Sequence, residues 1–262
     1  MLVLGLNSSS CGGLVMKKLL IGSAAAAAIS FGGAAFAADM PVKAPPPAPP
    51  VVAIWSCYVG GNVGAGWSTN QMFDAQNLPG LDVGSDTGLG IVGGGQVGCD
   101  YQSSNWVFGV RGMFDGADVQ SSIVPSAAAQ ATGGYASTER LGSDTSWFGT
   151  VVGRLGYVVQ PQWMAYAVGG VAWVHNKYTD IDPTSFGPFS GQATVTRTGW
   201  LLGVGLEYRL QRNWSLFGEY NYIGLASENV SLNYVGNAVS PYTYNSKQNF
   251  QTLLFGANYR FN

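Results

Sequence analysis

Seven ionisable side chains fall on the polar face of alternating segments in this chain: Arg111, Asp115, Arg154, Glu207, Arg209, Glu219 and Arg260, with Asp100 close to a turn. Four cations and three carboxylates on facing segments suit ion pairing. That chemistry fits a packed salt-bridge plug, and equally a charged constriction for ions and small solutes. Acid–base chemistry has one candidate, His175, the only histidine. Asp115, Asp118 and Asp144 end nearby segments, so an Asp–His pair is the arrangement to look for, against the simpler reading of a solvated histidine. No Cys, His and carboxylate spacing suggests a metal, and no cofactor motif is present. Gly93-Gly94-Gly95 lies inside a strand pattern and opens no helix, so it is not a phosphate loop.

The elements that must position these residues are strands. The last segment, 251–261, alternates throughout, with Leu253, Phe255, Ala257, Tyr259 and Phe261 on one face. Thr252, Gly256, Asn258 and Arg260 take the other face, with Leu254 the single apolar exception. A period of two predicts a strand. The same pattern predicts strands over 55–67, 88–101, 106–117, 146–158, 163–178, 194–210 and 214–224. Most have a clear apolar face, such as Trp200, Leu202, Val204, Leu206 and Tyr208 opposite Gly203, Gly205, Glu207 and Arg209. In 163–178 both faces are apolar, and Met164, Tyr166, Val168 and Val174 are assigned outward.

Composition decides what such strands build. The chain is 47% hydrophobic and 10% charged, against about 25% charged in ordinary soluble proteins. Beyond the leader no segment approaches the roughly 18 apolar residues of a membrane helix. Such a chain crosses a bilayer only as a closed barrel, because open edges cannot face lipid; a secreted β-sandwich is the competing reading. Met16-Lys17-Lys18, the Ala-rich run to Phe36 and Ala35-Phe36-Ala37 form a signal peptide over 1–37, with Met16 the expected start. Residues 38–54 are a Pro-rich periplasmic linker, and 55–262 are the barrel. Lys and Arg are scattered, which excludes a nucleic-acid footprint.

Connections alternate strictly. Those at 102–105, 159–162 and 211–213 are short; those at 68–87, 118–145, 179–193 and 225–249 are long and polar. That is the rhythm of periplasmic turns and external loops. The expected fold is therefore an eight-stranded antiparallel transmembrane β-barrel, an up-and-down meander in the outer membrane whose last strand closes against 55–67. Trp55, Trp67, Trp106 and Trp214 belong to its aromatic girdles. Tyr259 and Phe261 form the C-terminal assembly signal. Cys57 and Cys99 fall on one outward face, nearly equidistant from the middle of the loop between their strands. They are expected to pair as a cross-strand disulfide.

Several segments resemble the alphaproteobacterial outer-membrane immunogenic protein family, small porin-like barrels with the architecture of OmpA-type transmembrane domains. They include Ala37-Ala38-Asp39-Met40-Pro41, Tyr58-Val59-Gly60-Gly61-Asn62, Gly93-Gly94-Gly95-Gln96-Val97-Gly98, Trp147-Phe148-Gly149-Thr150, Gly153-Arg154-Leu155-Gly156-Tyr157 and Asn258-Tyr259-Arg260-Phe261. The resemblance implies eight strands, insertion by the outer-membrane assembly machinery, cell-surface exposure and no catalytic residues. Val152 departs from it where an inward Arg is usual, as do Cys57 and Cys99 in place of aromatics and Asn262 after the terminal Phe. The functional expectation is a non-enzymatic surface barrel that supports envelope integrity and presents external loops. Its partners are outer-membrane lipid and lipopolysaccharide, the assembly machinery, and host or cell-wall components. A narrow porin-like channel is the alternative, and a barrel enzyme using His175 the remote one.

Overall fold

The computed structural model describes residues 54–182, 189–211, 213–235 and 241–261. The expected signal peptide with its Met16 start, nearly all of the expected linker, and Asn262 lie outside these residues. The strands are β1 (Ile54–Asp74), β2 (Asp82–Ser103), β3 (Trp106–Ile123), β4 (Arg140–Gln160), β5 (Trp163–Asp182), β6 (Phe189–Arg209), β7 (Trp214–Leu225), β8 (Glu228–Val235) and β9 (Tyr242–Phe261), with a short helix α1 (Ala127–Thr132) between β3 and β4. Neighbours pair antiparallel in the order β1 to β7, then β9, and β9 returns to β1. That seam runs from Cys57 opposite Phe261 to Asp74 opposite Tyr244, so the ring is closed.

Nine strands make an eight-strand wall, because β7 and β8 are one strand interrupted by a bulge. Gly224 faces Asn249 and Glu228 faces Ser246, four residues against three. Leu225 faces Gly199 and Asn233 faces Gln192, eight against seven. One extra residue flips the faces. Accordingly, Phe217, Glu219, Asn221 and Ile223 point inward before the bulge, and Val230 and Leu232 after it. The Arg197 guanidinium sits against the break: Nη2 donates to the Ala226 and Ser246 carbonyls, the latter at 2.7 Å.

The wall is taller than the alternation suggests. Most strands run 20 to 22 residues, about twice the 9–11 that span a bilayer. Much of the polar sequence expected to be loop is strand standing above the membrane. The described connections shrink to 75–81 and to 124–139, which carries α1. The reason is solvent: above the bilayer the outer face meets water, so Thr69, Gln71 and Lys247 replace apolar residues there and the two-residue hydrophobic signal disappears. β5 is also corrected. Tyr166, Val168 and Val174 are buried inside the ring and Met164 shares their face, while Trp163, Val171 and Trp173 face out. Pairing decides this: Tyr166 lies across from Gly205, whose missing side chain admits the ring.

Aromatic pairs mark the periplasmic rim once per hairpin. Trp55–Tyr101, Trp106–Tyr157, Trp163–Tyr208 and Trp214–Tyr259 are register-opposed, with ring centroids 4.8 to 5.2 Å apart. Trp67 stands at the other rim, 6.1 Å from Tyr220. At a tilt of about 40°, the β1 segment between Trp55 and Trp67 climbs roughly 25–30 Å, the height of an outer-membrane apolar band. Cys57 and Cys99 are directly opposite each other near the periplasmic rim and joined by a disulfide, Cα atoms 3.9 Å apart.

The external end is roofed by a second apolar cluster in which Met72, Val83, Ile123, Ala129 of α1, Tyr135, Leu141 and Tyr244 pack together. Asp74 staples the 75–81 turn beneath this roof. It accepts from the Gln76, Asn77 and Leu78 amides at 2.8, 3.0 and 3.3 Å and from the Tyr242 hydroxyl at 2.8 Å. Burial opposes the Asp74 charge, but these four bonds together outweigh it and hold the carboxyl below its ordinary range. A depressed folded pKa stabilises the turn above the unfolded value of about 3.9, and that contribution disappears as pH falls through the folded value. The amide proton resonances of Gln76 and Asn77 should therefore move upfield together only below pH about 4. In Asp74→Asn they should already have lost their downfield positions at neutral pH.

Candidate functional site

The lumen is the place where side chains of all strands converge, and it is stratified. At the periplasmic mouth a cavity of about 320 Å³ is lined by Gln102, Gln162, Trp163, Arg209 and the edges of Asp100 and Arg260. Above it lies a charge lattice. Arg154 and Arg260 each bind both Asp100 and Glu207. Arg154 Nη1 is 3.1 Å from Asp100 Oδ2 and its Nη2 contacts Glu207 Oε2. Arg260 Nη1 is 3.0 Å from Asp100 Oδ2 and its Nη2 2.8 Å from Glu207 Oε1. Ser215 Oγ donates to Glu207 Oε1 at 2.5 Å. The Arg154 guanidinium lies 3.9 Å from the Tyr166 ring centroid, and that of Arg260 5.0 Å from Tyr58. All four charged groups are buried and their charges cancel.

A second pair sits across the ring. Arg111 binds Glu219 through both Nη atoms at 2.6 Å each, and Asn221 Nδ2 donates to Glu219 Oε1 at 2.8 Å. Bidentate pairs of this kind are the strong form of a buried ion pair. Each is costly to break, because the surviving partner keeps its charge in a poorly solvated space.

Next comes an apolar layer. Val92, Phe148, Val168, Ala172, Leu201, Ile223, Phe250 and Leu254 form one buried cluster, with Phe148 and Phe250 edge to face at 5.2 Å. Strand order fixes its height. Inward residues run Arg154, Val152, Thr150, Phe148, Thr145 along β4 and Arg260, Asn258, Gly256, Leu254, Thr252, Phe250, Gln248 along β9, so the layer is mainly but not wholly apolar. The apolar layer thus separates the charge lattice from an upper polar layer. There Gln248 joins Ser68 and Asn176 at 2.7 and 2.8 Å, Thr145 donates to Asn176 at 2.7 Å, and Arg197 reaches Tyr178 at 3.2 Å.

Five of the seven expected lumen charges meet in ion pairs: Arg111, Arg154, Glu207, Glu219 and Arg260. Asp115 points inward and is fully buried, outside every ion pair among the described residues. Arg209 does not join the lattice; it is exposed at the mouth, where strand β6 ends. Asp100 is a full member, which its closeness to a turn obscured. Arg197 was missed: it shares its parity with Glu207 on β6, but the polar run around it resembles a loop edge. His175 faces outward, stacked on Trp147 at 5.0 Å with Nδ1 2.8 Å from Thr196 Oγ1. The wall separates it from Asp115, so that Asp–His pair does not form. Among the described residues no three His, Cys, Asp or Glu side chains converge as a metal ligand set.

The lattice sets a stability expectation. Glu207→Gln leaves two buried guanidinium groups sharing one carboxylate and should cost about 3–5 kcal/mol in urea unfolding followed by tryptophan fluorescence. Adding Arg260→Gln should recover part of that loss, because the two changes share one network. Strict additivity of the two costs would show that the groups are not coupled.

A family model described as an outer membrane protein beta-barrel domain matches residues 23–261. The 31 kDa outer-membrane immunogenic protein of Brucella melitensis biotype 1 is 36% identical over 246 residues, covering 88% of this chain and 95% of that protein. Among solved structures, the chain is similar to the outer membrane protease OmpT from Escherichia coli, at TM-score 0.47 and 11% identity, over 79% of this chain and 97% of that one. It is also similar to the outer membrane protein OprG from Pseudomonas aeruginosa, at TM-score 0.42 and 13% identity, over 79% and 95%. The family match spans the whole described barrel, and with the extent of the Brucella relationship it makes this chain a member of the outer membrane β-barrel protein family, resident in the cell outer membrane.

Proposed function

We propose that this surface barrel works as a closed, non-catalytic envelope element whose job is done by its walls and external end rather than by transport. The carrying observation is the apolar layer around Phe148 and Phe250 between two polar layers. Ions crossing it would have to shed their hydration against hydrocarbon side chains. The lattice below consists of mutually committed pairs, which hold the strands at fixed separation and so support envelope integrity. Outward Lys177 and Lys247, beyond the external aromatic rim, suit contact with lipopolysaccharide phosphate. The extended, roofed strands offer a rigid surface to host or cell-wall components, in line with the immunogenic name of the Brucella relative.

Assembly is proposed to depend on the outward C-terminal aromatics, Tyr259 and Phe261, whose rings pack 5.2 Å apart at the seam with β1. Removing Phe261 and Asn262 should lower the fraction of chain that reaches the heat-modifiable folded form in outer membranes. Unchanged insertion of the truncated chain would refute this role.

Planar-bilayer recording tests the closed lumen. Neither the wild type nor Arg154→Ala should show steady unitary conductance, whereas Phe148→Ser with Phe250→Ser should raise it by hydrating the partition. Steady channels from the wild type would sink the closed-barrel reading in favour of the narrow channel.

A further inference from the structure

Above the external aromatic rim the outer wall of the barrel is not uniform. On β3, β4 and β5 its outward residues include Asp118, Arg140, Asp144, His175 and Lys177. On β2, β1, β9 and β8 they are mostly amides and hydroxyls. Row by row, Thr69 lies between Thr87 and Asn249, and Gln71 between Ser85 and Lys247. Asn245 lies between Phe73 and Asn229, and Ser231 faces Thr243. Lys247 is the one charged side chain in these rows, and Asp82 closes them at the top, opposite Phe73. Ordinary water-exposed surfaces are about 25–35% charged, so contact with water does not by itself account for a neutral wall.

The polar groups of this wall are held in place by pairing across strands. The Thr69 and Thr87 hydroxyls are 3.1 Å apart, those of Ser231 and Thr243 3.0 Å, and Asn245 Nδ2 donates to Asn229 Oδ1 at 2.9 Å. The Asn229–Asn245 bond leaves Asn229 Nδ2 and Asn245 Oδ1 uncommitted among the described residues, a fixed donor beside a fixed acceptor. With Phe73, Pro79, Gly80 and Lys247 these two amides line a groove of about 390 Å³, within the range of ligand clefts. Lys247 Nζ is 4.8 Å from the Phe73 ring centroid, a contact that orients the ammonium group at the groove.

The wall is continuous with the membrane interface. Its lowest residue, Gln251, faces Trp67 and accepts from the Tyr220 hydroxyl at 2.5 Å. Phe73 stands six residues up β1 from Trp67, roughly 15 Å higher at the tilt of an eight-stranded barrel. In an outer membrane that height is occupied by the sugar chains of lipopolysaccharide.

We infer that the outward face of β2, β1, β9 and β8 above the rim docks a phosphorylated oligosaccharide, the sugar chain of outer-leaflet lipopolysaccharide, with Asn229 and Asn245 on its hydroxyls and Lys247 on a phosphate. A sugar hydroxyl both donates and accepts, and only amides and hydroxyls match it with both functions. Side chains already fixed in cross-strand pairs lose little freedom on binding. The lipid end of the same molecule lies at the rim, so the chain meets the wall at high effective concentration and weak single contacts suffice. This deepens the reading of Lys247 as a lipopolysaccharide contact and rests on it; it does not depend on a closed lumen.

The test uses the full chain refolded in zwitterionic micelles and titrated with delipidated core oligosaccharide, with and without its phosphates, followed by NMR of the Asn and Gln side-chain amides. Asn229, Asn245 and Asn249 should shift saturably, while Gln120 and Gln192 on the other wall stay in place. Asn229→Ala with Asn245→Ala, both exposed or half-exposed, should weaken binding about ten-fold, the effect of one or two hydrogen bonds. Lys247→Met should weaken binding of the phosphorylated form only. Absence of saturable shifts, equal shifts on both walls, or full binding by the double variant would overturn the inference. If intact lipopolysaccharide binds and the oligosaccharide does not, the sugar surface alone is wrong; if neither binds, the lipopolysaccharide contact fails with it.

Discussion

Inside a bilayer every backbone N–H and C=O must find a partner within the protein, and here the seam between β1 and β9 meets that demand. From Cys57 opposite Phe261 to Asp74 opposite Tyr244, the first and last strands pair over their whole shared length. Closure forces each strand to have an inside and an outside. A strand cannot slip by one residue without moving its apolar side chains from lipid into the lumen. The structure makes such a shift within β4, between Thr145 and Trp147, and another between β7 and β8, by a bulge that lies above the apolar band. There the outer face meets water, so the exchange of faces costs little. Arg197 supplies donors to the Ala226 and Ser246 carbonyls beside the bulge.

A ring of eight strands encloses a space that side chains can fill, and the filling is ordered by polarity. The fully buried ion pairs gather on the periplasmic side, aromatic and aliphatic residues in the middle, and amides and hydroxyls toward the outside together with Arg197 and Asp180. Leu254 illustrates how the order is built. On the alternating terminal strand it is the lone apolar residue on a polar face, and it is buried in the partition with Phe250. Val152 on β4 belongs to the same buried cluster. These side chains make part of an otherwise polar lumen apolar. The ion pairs beneath are buried, and breaking one leaves its partner's charge in a poorly solvated space.

Much of this was legible in the sequence. The strands, their antiparallel order, the inward placement of Arg154, Glu207 and Glu219 and the outward placement of the cysteines follow from a period of two in a chain with few charges. The legible part ends where the outer face stops being lipid. Residues such as Ser68, Thr69, Asn70 and Gln71 form strand although both faces are polar, because pairing with β9 and β2 continues. Strand β5 failed for the opposite reason: with apolar residues on both faces its orientation depends on neighbours such as Gly205, which lie far away in sequence.

By itself, then, the sequence determined that these segments are strands and which charges had to be kept from lipid, since alternation and charge cost are local properties of each residue. The tertiary structure alone decided which charges meet. Asp100 joins Arg154 and Arg260, Arg209 stays outside, and Asp115 is left without a salt bridge. Those outcomes depend on the stagger of strands around the ring, which brings residues 54 to 160 positions apart into hydrogen-bond range. No local pattern encodes that stagger. It emerges only when the last strand finds the first.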